Sequence, residues 1–268
     1  MNRRHFLQAS LLAAPALLLA TRVQAVDTRI AYINDAINKS GRQRMLSQRL
    51  AKCYLQIGQE IDMPRSQKLF NVSLALFEKQ LGELESYAPN AENKATLLSM
   101  KKTWNAYKSA LQGQKPNVQD AKAVMRLSEE VLALAHASTL QLEKISDTAV
   151  GHLVNIAGRQ RMLSQRMAKF YQAINWGVTP SDALPGLIKA RDEFLAAMAE
   201  LSASPKNTTP IKQDILLAQQ QWFFFDQALK SNAINNDTKL RFATNVATSS
   251  ERILETMDRI TGMYEQLG

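Results

Sequence analysis

The chain has 268 residues, with 33 lysines and arginines against 24 aspartates and glutamates, a formal net charge of +9, and a single cysteine. That is enough chain for one large or two ordinary domains, and one cysteine excludes an intrachain disulfide framework. The basic balance calls for an anionic partner: nucleic acid, a lipid or acidic protein surface, or a small anion.

The first element in chain order is a leader. Asn2-Arg3-Arg4-His5-Phe6-Leu7-Gln8 forms a twin-arginine head, Leu11–Ala20 a short apolar run, and Val23-Gln24-Ala25 a small-residue cleavage site. Residues 1–25 are therefore expected to be a signal peptide removed after Ala25, with an uncleaved anchor as the alternative. The apolar run is too short to span a bilayer. Export to the periplasm removes nucleic acid from the partners and leaves small anions, lipid headgroups and acidic protein surfaces. Two histidines lie beyond the leader, His136 and His152, with no cysteine or acidic ligand pattern near them. Neither a metal site nor a cofactor is expected.

Beyond the leader the chain reads as helix, because no stretch alternates apolar and polar residues over strand length. Breaks fall at Met63-Pro64, Ala88-Pro89-Asn90, Gly113–Asn117, Gly177–Pro185, Ser202–Pro210 and Asn232–Asp237. The long interval from Pro116 to Gly177 hides one further helix, which makes eight. The two halves also match each other. Phe77 pairs with Phe194, Trp104 with Trp222, Leu111 with Leu229, and Ser128-Glu129-Glu130-Val131-Leu132 with Ser250-Glu251-Arg252-Ile253-Leu254. The expected fold is all-α: two tandem antiparallel four-helix bundles over residues 26–146 and 147–268. With no proline inside the long interval, one continuous helix shared by both bundles is expected. The alternative is a fresh helix capped by Ser146-Asp147-Thr148, with Gly151 as the hinge.

The strongest signal is a nine-residue string, GRQRMLSQR, written identically at Gly41–Arg49 and Gly158–Arg166. Identity across the surrounding Asn38–Tyr54 and Asn155–Tyr171 is 13 of 17, well above the drifted remainder. On a helix, Leu46, Leu50, Cys53, Tyr54 and Ile57 form a stripe toward the helix's own bundle. Cys53 on that stripe reads as a small core residue, and Met45 and Met162 as packing. A second stripe runs Ile33, Ile37, Ser40, Arg44, Gln48, Ala51, Leu55, repeated as Val150, Val154, Ala157, Arg161, Gln165, Ala168, which is the spacing of a seam against a partner helix. One arginine and one glutamine interrupt each line. Small neighbours, including Gly41 and Gly158, let two backbones approach.

An arginine in such a seam is costly unless paired. No acidic residue lies between Asp35 and Glu60, or between Asp147 and Asp182. Either distant acids such as Glu78, Glu83 or Glu129 reach across the bundle, or an external anion fills the gap. A guanidinium fork suits a planar oxyanion. Arg44 and Arg161 can alternatively bond to carbonyls or acids of a neighbouring helix and set its register. Arg42, Arg49, Lys52 and their counterparts read as a solvated face. Asn38, Asn155, Ser47, Ser164, Gln48 and Gln165 either line a polar pocket or bond locally. Trp222-Phe223-Phe224-Phe225 reads mainly as core packing with one ring exposed.

The run Ile37-Asn38-x-Ser40-Gly41-Arg42-Gln43-Arg44-Met45-Leu46-Ser47-Gln48-Arg49 resembles the signature helix of the PilJ-type sensor domain, and Asn155–Arg166 resembles it again. That family includes periplasmic domains of nitrate/nitrite-responsive histidine kinases and of type IV pilus chemotaxis transducers. The resemblance implies a four-helix bundle whose first helix carries the box, with nitrate or nitrite held between two such helices at a twofold interface. The implied anion-holding arginine lies three residues after the glycine: Arg44 after Gly41, Arg161 after Gly158. The Gly-Arg-Gln-Arg form is closer to the pilus-chemotaxis branch.

The expected protein is a periplasmic, non-catalytic sensory or ligand-binding protein without its own output module. It takes a small nitrate- or nitrite-like anion at seams containing Arg44, Arg161, Gln48, Gln165, Asn38, Asn155, Gly41, Gly158, Ser47 and Ser164, and signals to a membrane partner protein. With an unbroken long helix each box must pair with a second chain in a homodimer; with a hinge the two boxes face each other. The rival reading is a ligand-free helical adaptor for a pilus, chemosensory or envelope complex. No nucleophile–base pair, carboxylate dyad or phosphate loop suggests an enzyme.

Overall fold

The computed structural model describes residues 29–178, 182–231 and 236–268. The expected leader at residues 1–25 lies outside the described residues. Eight helices are described: α1 Ile33–Gly58, α2 Met63–Tyr87, α3 Ala91–Gln112, α4 Val118–Ser146, α5 Ala149–Asn175, α6 Ala183–Ala203, α7 Thr209–Lys230 and α8 Asn236–Glu265. Their ends follow local chemistry. Asn90 accepts from the Asn93 N–H at 2.8 Å, and Asn117 from the Asp120 N–H at 2.9 Å. Pro64 and Pro210 occupy first-turn positions, where a missing N–H costs nothing.

The continuous α4–α5 helix is overturned. Asp147 adopts left-handed backbone (φ 47°) and ends α4, and the Thr148 hydroxyl starts α5 by accepting from the Gly151 N–H at 3.0 Å. The reversal is therefore at Asp147, not at Gly151. An aspartate tolerates this conformation better than most residues, so the chain turns back without glycine or proline. A Cβ at Gly151 would lie 2.5 Å from the Ser146 hydroxyl, so a larger residue there would displace that side chain. Thr148→Ala is expected to cost about 1 kcal/mol, a fall of roughly 2–4 °C in Tm for a chain of this size, read by thermal melting followed by circular dichroism.

Because the chain turns back, the two four-helix repeats lie side by side and not end to end. α1 and α5 run parallel along the middle of the molecule. Asn38 meets Arg161, Arg44 meets Asn155, and Gln59 meets Gln172. α4 lies antiparallel to α1, since Ser40 meets Thr139 and Gln48 meets Ser128, and α8 antiparallel to α5, since Arg161 meets Asp258 and Gln172 meets Ala243. The outer pairs, α2–α3 and α6–α7, flank this central four.

The repeat is visible in the packing. Phe77 stacks on Trp104 with ring centroids 3.8 Å apart, and Phe194 on Trp222 at 4.6 Å. Gln43 donates to the Phe77 carbonyl and Gln160 to the Phe194 carbonyl. These bonds pin each box helix to the second helix of its own repeat. Cys53, Met45 and Met162 are buried in the core, and burial pushes the Cys53 thiol up to about 11. In the aromatic run Phe225 is buried, whereas Phe223 and Phe224 are 61% and 68% exposed. Two rings, not one, face outward. No helix among the described residues is long and apolar enough to cross a membrane.

Candidate functional site

The two boxes face each other across the α1–α5 seam. Their apolar and small positions, Ile37, Ser40, Ala51 and Leu55 on α1 and Val154, Ala157 and Ala168 on α5, are buried. Arg44 and Arg161 are both fully buried, among the largest side chains with no exposure. A Cβ built on Gly41 would lie 3.1 Å from one Arg44 terminal nitrogen and 3.6 Å from that of Arg161; at Gly158 the corresponding distances are 3.6 and 3.0 Å. Both guanidiniums therefore converge over the same two glycines. Any larger residue there presses on them, which is a reason for glycine in the middle of a helix despite its cost of about 1 kcal/mol.

Each arginine reaches across to the opposite helix. Arg44 Nη2 donates to the Asn155 carbonyl at 3.1 Å, and Arg161 Nη2 to the Asn38 carbonyl at 3.3 Å and to Asn38 Oδ1 at 2.8 Å. The asparagine amides are held from behind, Asn38 donating to Glu265 and Asn155 to Glu143. The remaining partners differ. Arg161 Nη1 donates to the Asp258 carboxylate, whereas Arg44 Nη1 lies 3.3 Å from His136 Nδ1. Asp258 is shared with Arg42 at 2.9 Å. Nε of both arginines and Oδ1 of Asn155 are buried and unpartnered among the described residues.

The electrostatics follow. Burial, and then the facing Arg161 charge, lower Arg44 to about 9. Burial lowers Arg161 to about 10 against the opposing pull of Asp258. Burial together with Arg44 and Arg159 takes the His136 imidazole down to about 4, so it is neutral at pH 7 and contributes no charge. Burial would raise the Asp258 carboxyl, but Arg161 and Arg42 overcome it and hold it at about 2. The buried pair thus carries two positive charges, and the one carboxylate bonded to it, Asp258, is shared with Arg42. Two unit charges ~6 Å apart repel by about 3 kcal/mol at an effective dielectric of ~20.

Below this level a second charged layer fastens the helices. Lys52 is fully buried and donates to Gln165, Ser250 and Glu251, and Glu251 also takes Arg49. In the mirrored position Lys169, also fully buried, donates to Ser128 and Glu129, and Glu129 also takes Arg166 at 2.6 Å. Each lysine belongs to one repeat and its carboxylate to the other. Arg159 pairs with Glu193 at 2.9 Å. The expectation of a solvated basic face is therefore corrected for Lys52, Lys169, Arg49 and Arg166, which lie inward because carboxylates on α4 and α8 receive them, whereas Arg42 and Arg159 stay partly exposed beside Asp258 and Glu193.

Of the sequence-predicted site residues, Arg44, Arg161, Asn38, Asn155, Gly41 and Gly158 come together. Ser47 and Ser164 do not join them; their hydroxyls donate at 2.8 Å to the carbonyls of Arg44 and Arg161. Gln48 and Gln165 turn to the carbonyls of Ser128 and Ser250, each at 3.0 Å. The suggested distant acids also go elsewhere: Glu78 to Lys108, Glu83 to Lys39 and Glu129 to Lys169. Asp258 and His136 were missed. A signal existed, because extending the Ser128–Ser250 match along the chain places His136 opposite Asp258. A groove of about 590 Å³ lined by Met125, Arg126, Glu129, Ala133 and Phe170 opens beside α4. None of these residues hydrogen-bonds either seam guanidinium.

The family comparison likewise finds two tandem copies in the chain. The model for the type IV pili methyl-accepting chemotaxis transducer N-terminal domain, PilJ, matches residues 28–142 and again 146–249. The chain belongs to the PilJ family. No curated protein and no solved structure matches it significantly. PilJ is a sensory family of chemotaxis transducers and not an enzyme family. The two PilJ repeats place their box helices against each other within one chain, so the arginine pair is assembled without a second copy.

Proposed function

We propose that this PilJ protein is an exported periplasmic sensor that binds a small anion, nitrate or nitrite, between Arg44 and Arg161 and presents its ligand state to a membrane signalling partner. One observation carries the reading: two fully buried guanidiniums converge over paired glycines, and only one of them, Arg161, is bonded to a carboxylate. Burying charge without full compensation costs several kcal/mol per ion, and a planar monovalent oxyanion supplies the missing charge and accepts parallel N–H bonds. The twin-arginine leader read from the sequence supports the periplasmic location. Isothermal titration of the wild-type protein with nitrate and nitrite is expected to give saturable binding that Arg44→Ala and Arg161→Ala each abolish. No heat with either anion up to millimolar concentration would remove the anion claim.

The second reading is a ligand-free helical adaptor for a pilus, chemosensory or envelope complex. The Arg161–Asp258 pair favours it, since one arginine of the two already has an internal carboxylate. On that reading small anions change nothing, and a partner protein is recovered with either arginine variant.

A further inference from the structure

Almost every element of the seam occurs twice. Glycine answers glycine, Asn38 answers Asn155, Glu265 answers Glu143, and the Lys52–Glu251 pair answers Lys169–Glu129. Among the side chains that bond the two arginines, one position breaks the match: His136 on α4 stands where the second repeat has Asp258 on α8. The consequence is local and chemical. Arg161 has a carboxylate and the Asn38 amide oxygen. Arg44 has a ring nitrogen at 3.3 Å and a backbone carbonyl, and the amide oxygen of Asn155 beside it receives no donor among the described residues. Asp258 is also the more exposed of these groups, with 45% of its side chain accessible and Arg42 as a second partner.

Resting on the reading of the arginine pair as the anion seat, we propose that the seat is one-sided. A single monovalent oxyanion docks on the Arg44–His136 side, while Asp258 acts as a built-in counter-ion that occupies the Arg161 side. Of the two fully buried guanidiniums only Arg44 has no carboxylate bonded to it, which leaves room for one negative charge, so the chain takes one anion and discriminates against divalent sulfate. Asp258 also repels the incoming anion across the seam and sets a ceiling on its affinity.

The test is titration of the full-length chain with sodium nitrate, sodium nitrite and sodium sulfate, in the wild type, His136→Asp, His136→Asn and Asp258→Asn. The wild type is expected to bind one nitrate or nitrite per chain and no sulfate. His136→Asp, which gives Arg44 its own carboxylate, is expected to weaken binding at least 100-fold while its melting temperature holds or rises. His136→Asn, which removes the ring without adding charge, is expected to weaken binding by less than 10-fold, and so far less than His136→Asp. Asp258→Asn is expected to bind about 10-fold tighter. Wild-type binding that His136→Asp leaves intact, or that Asp258→Asn abolishes, overturns the one-sided assignment and leaves the seat standing. A wild type that takes neither anion overturns both. If His136→Asp does not fold, the Asp258→Asn and sulfate results decide.

Discussion

Glu251→Ala is expected to lower the melting temperature by roughly 6–20 °C at pH 7. Glu251 is 1% exposed and receives both Lys52 and Arg49 from the opposite repeat. Removing the carboxylate leaves the Lys52 ammonium, which has no exposure, with only Gln165 and Ser250 as partners. Breaking a buried pair by deleting one partner costs about 3–5 kcal/mol, and each kcal/mol is worth roughly 2–4 °C in a chain of this size. Differential scanning calorimetry measures the loss. A change under 2 °C would mean that Lys52 finds water or another acid when Glu251 is gone. The same group gives the wild type an acid limit. Burial would raise the Glu251 carboxyl, but Lys52 and Arg49 outweigh it and bring it to about 2, against an ordinary value of 4.5. A depressed carboxyl contributes stability that is fully present above its unfolded value and is lost as pH falls through the folded one. The melting temperature of the wild type is therefore expected to drop between about pH 4.5 and pH 2, and that of Glu251→Gln to drop less over the same window.

Arg44→Met is expected to act in the opposite direction on stability while destroying binding. Arg44 is fully buried, faces a second guanidinium and has no carboxylate of its own. Replacing a whole buried ion pair by apolar side chains of similar volume is often stabilising by about 1–4 kcal/mol; Arg44 has no bonded carboxylate to strand, and its removal alone is expected to raise the melting temperature by roughly 2–4 °C, the worth of about 1 kcal/mol in a chain of this size. Nitrate and nitrite affinity should fall at least 100-fold, because the remaining Arg161 is already neutralised by Asp258. The paired readout separates the two functional readings. A register pin for a ligand-free scaffold predicts that Arg44→Met melts lower than wild type and that nitrate never mattered. A melting temperature that rises as binding disappears identifies Arg44 as a group kept for its ligand at a cost to the fold.

The readable part of this site was the box itself. Two identical strings with a glycine three residues before an arginine, on helices with no acidic residue nearby, were enough to single out Arg44 and Arg161. Ser47, Ser164, Gln48 and Gln165 belonged to the same string yet go to carbonyls. Their spacing places them on the helix but says nothing of which acceptor is nearer, and serine hydroxyls fall readily onto the preceding turn. The basic residues Lys52 and Lys169 looked like solvent-facing charges because their counter-ions are far along the chain: the Lys52 partner is Glu251. A local reading has no access to a carboxylate delivered by the last helix.

By itself the sequence determined the all-helical class, every helix break but the one between α4 and α5, and the repetition, because those rest on short-range chemistry: periodic apolar positions, and the proline, glycine and asparagine clusters that interrupt them. It also determined that two buried arginines would need an answer from outside their own helices. Only the tertiary structure decided that α4 and α5 are separate, that the two boxes meet inside one chain, and that Asp258 answers Arg161 while His136 answers Arg44. The reason is physical. A left-handed aspartate at 147 reverses the chain with none of the glycine or proline signals that mark a turn, and the partners of buried charges are set by which helices share a seam, a long-range outcome of apolar burial that no local pattern encodes.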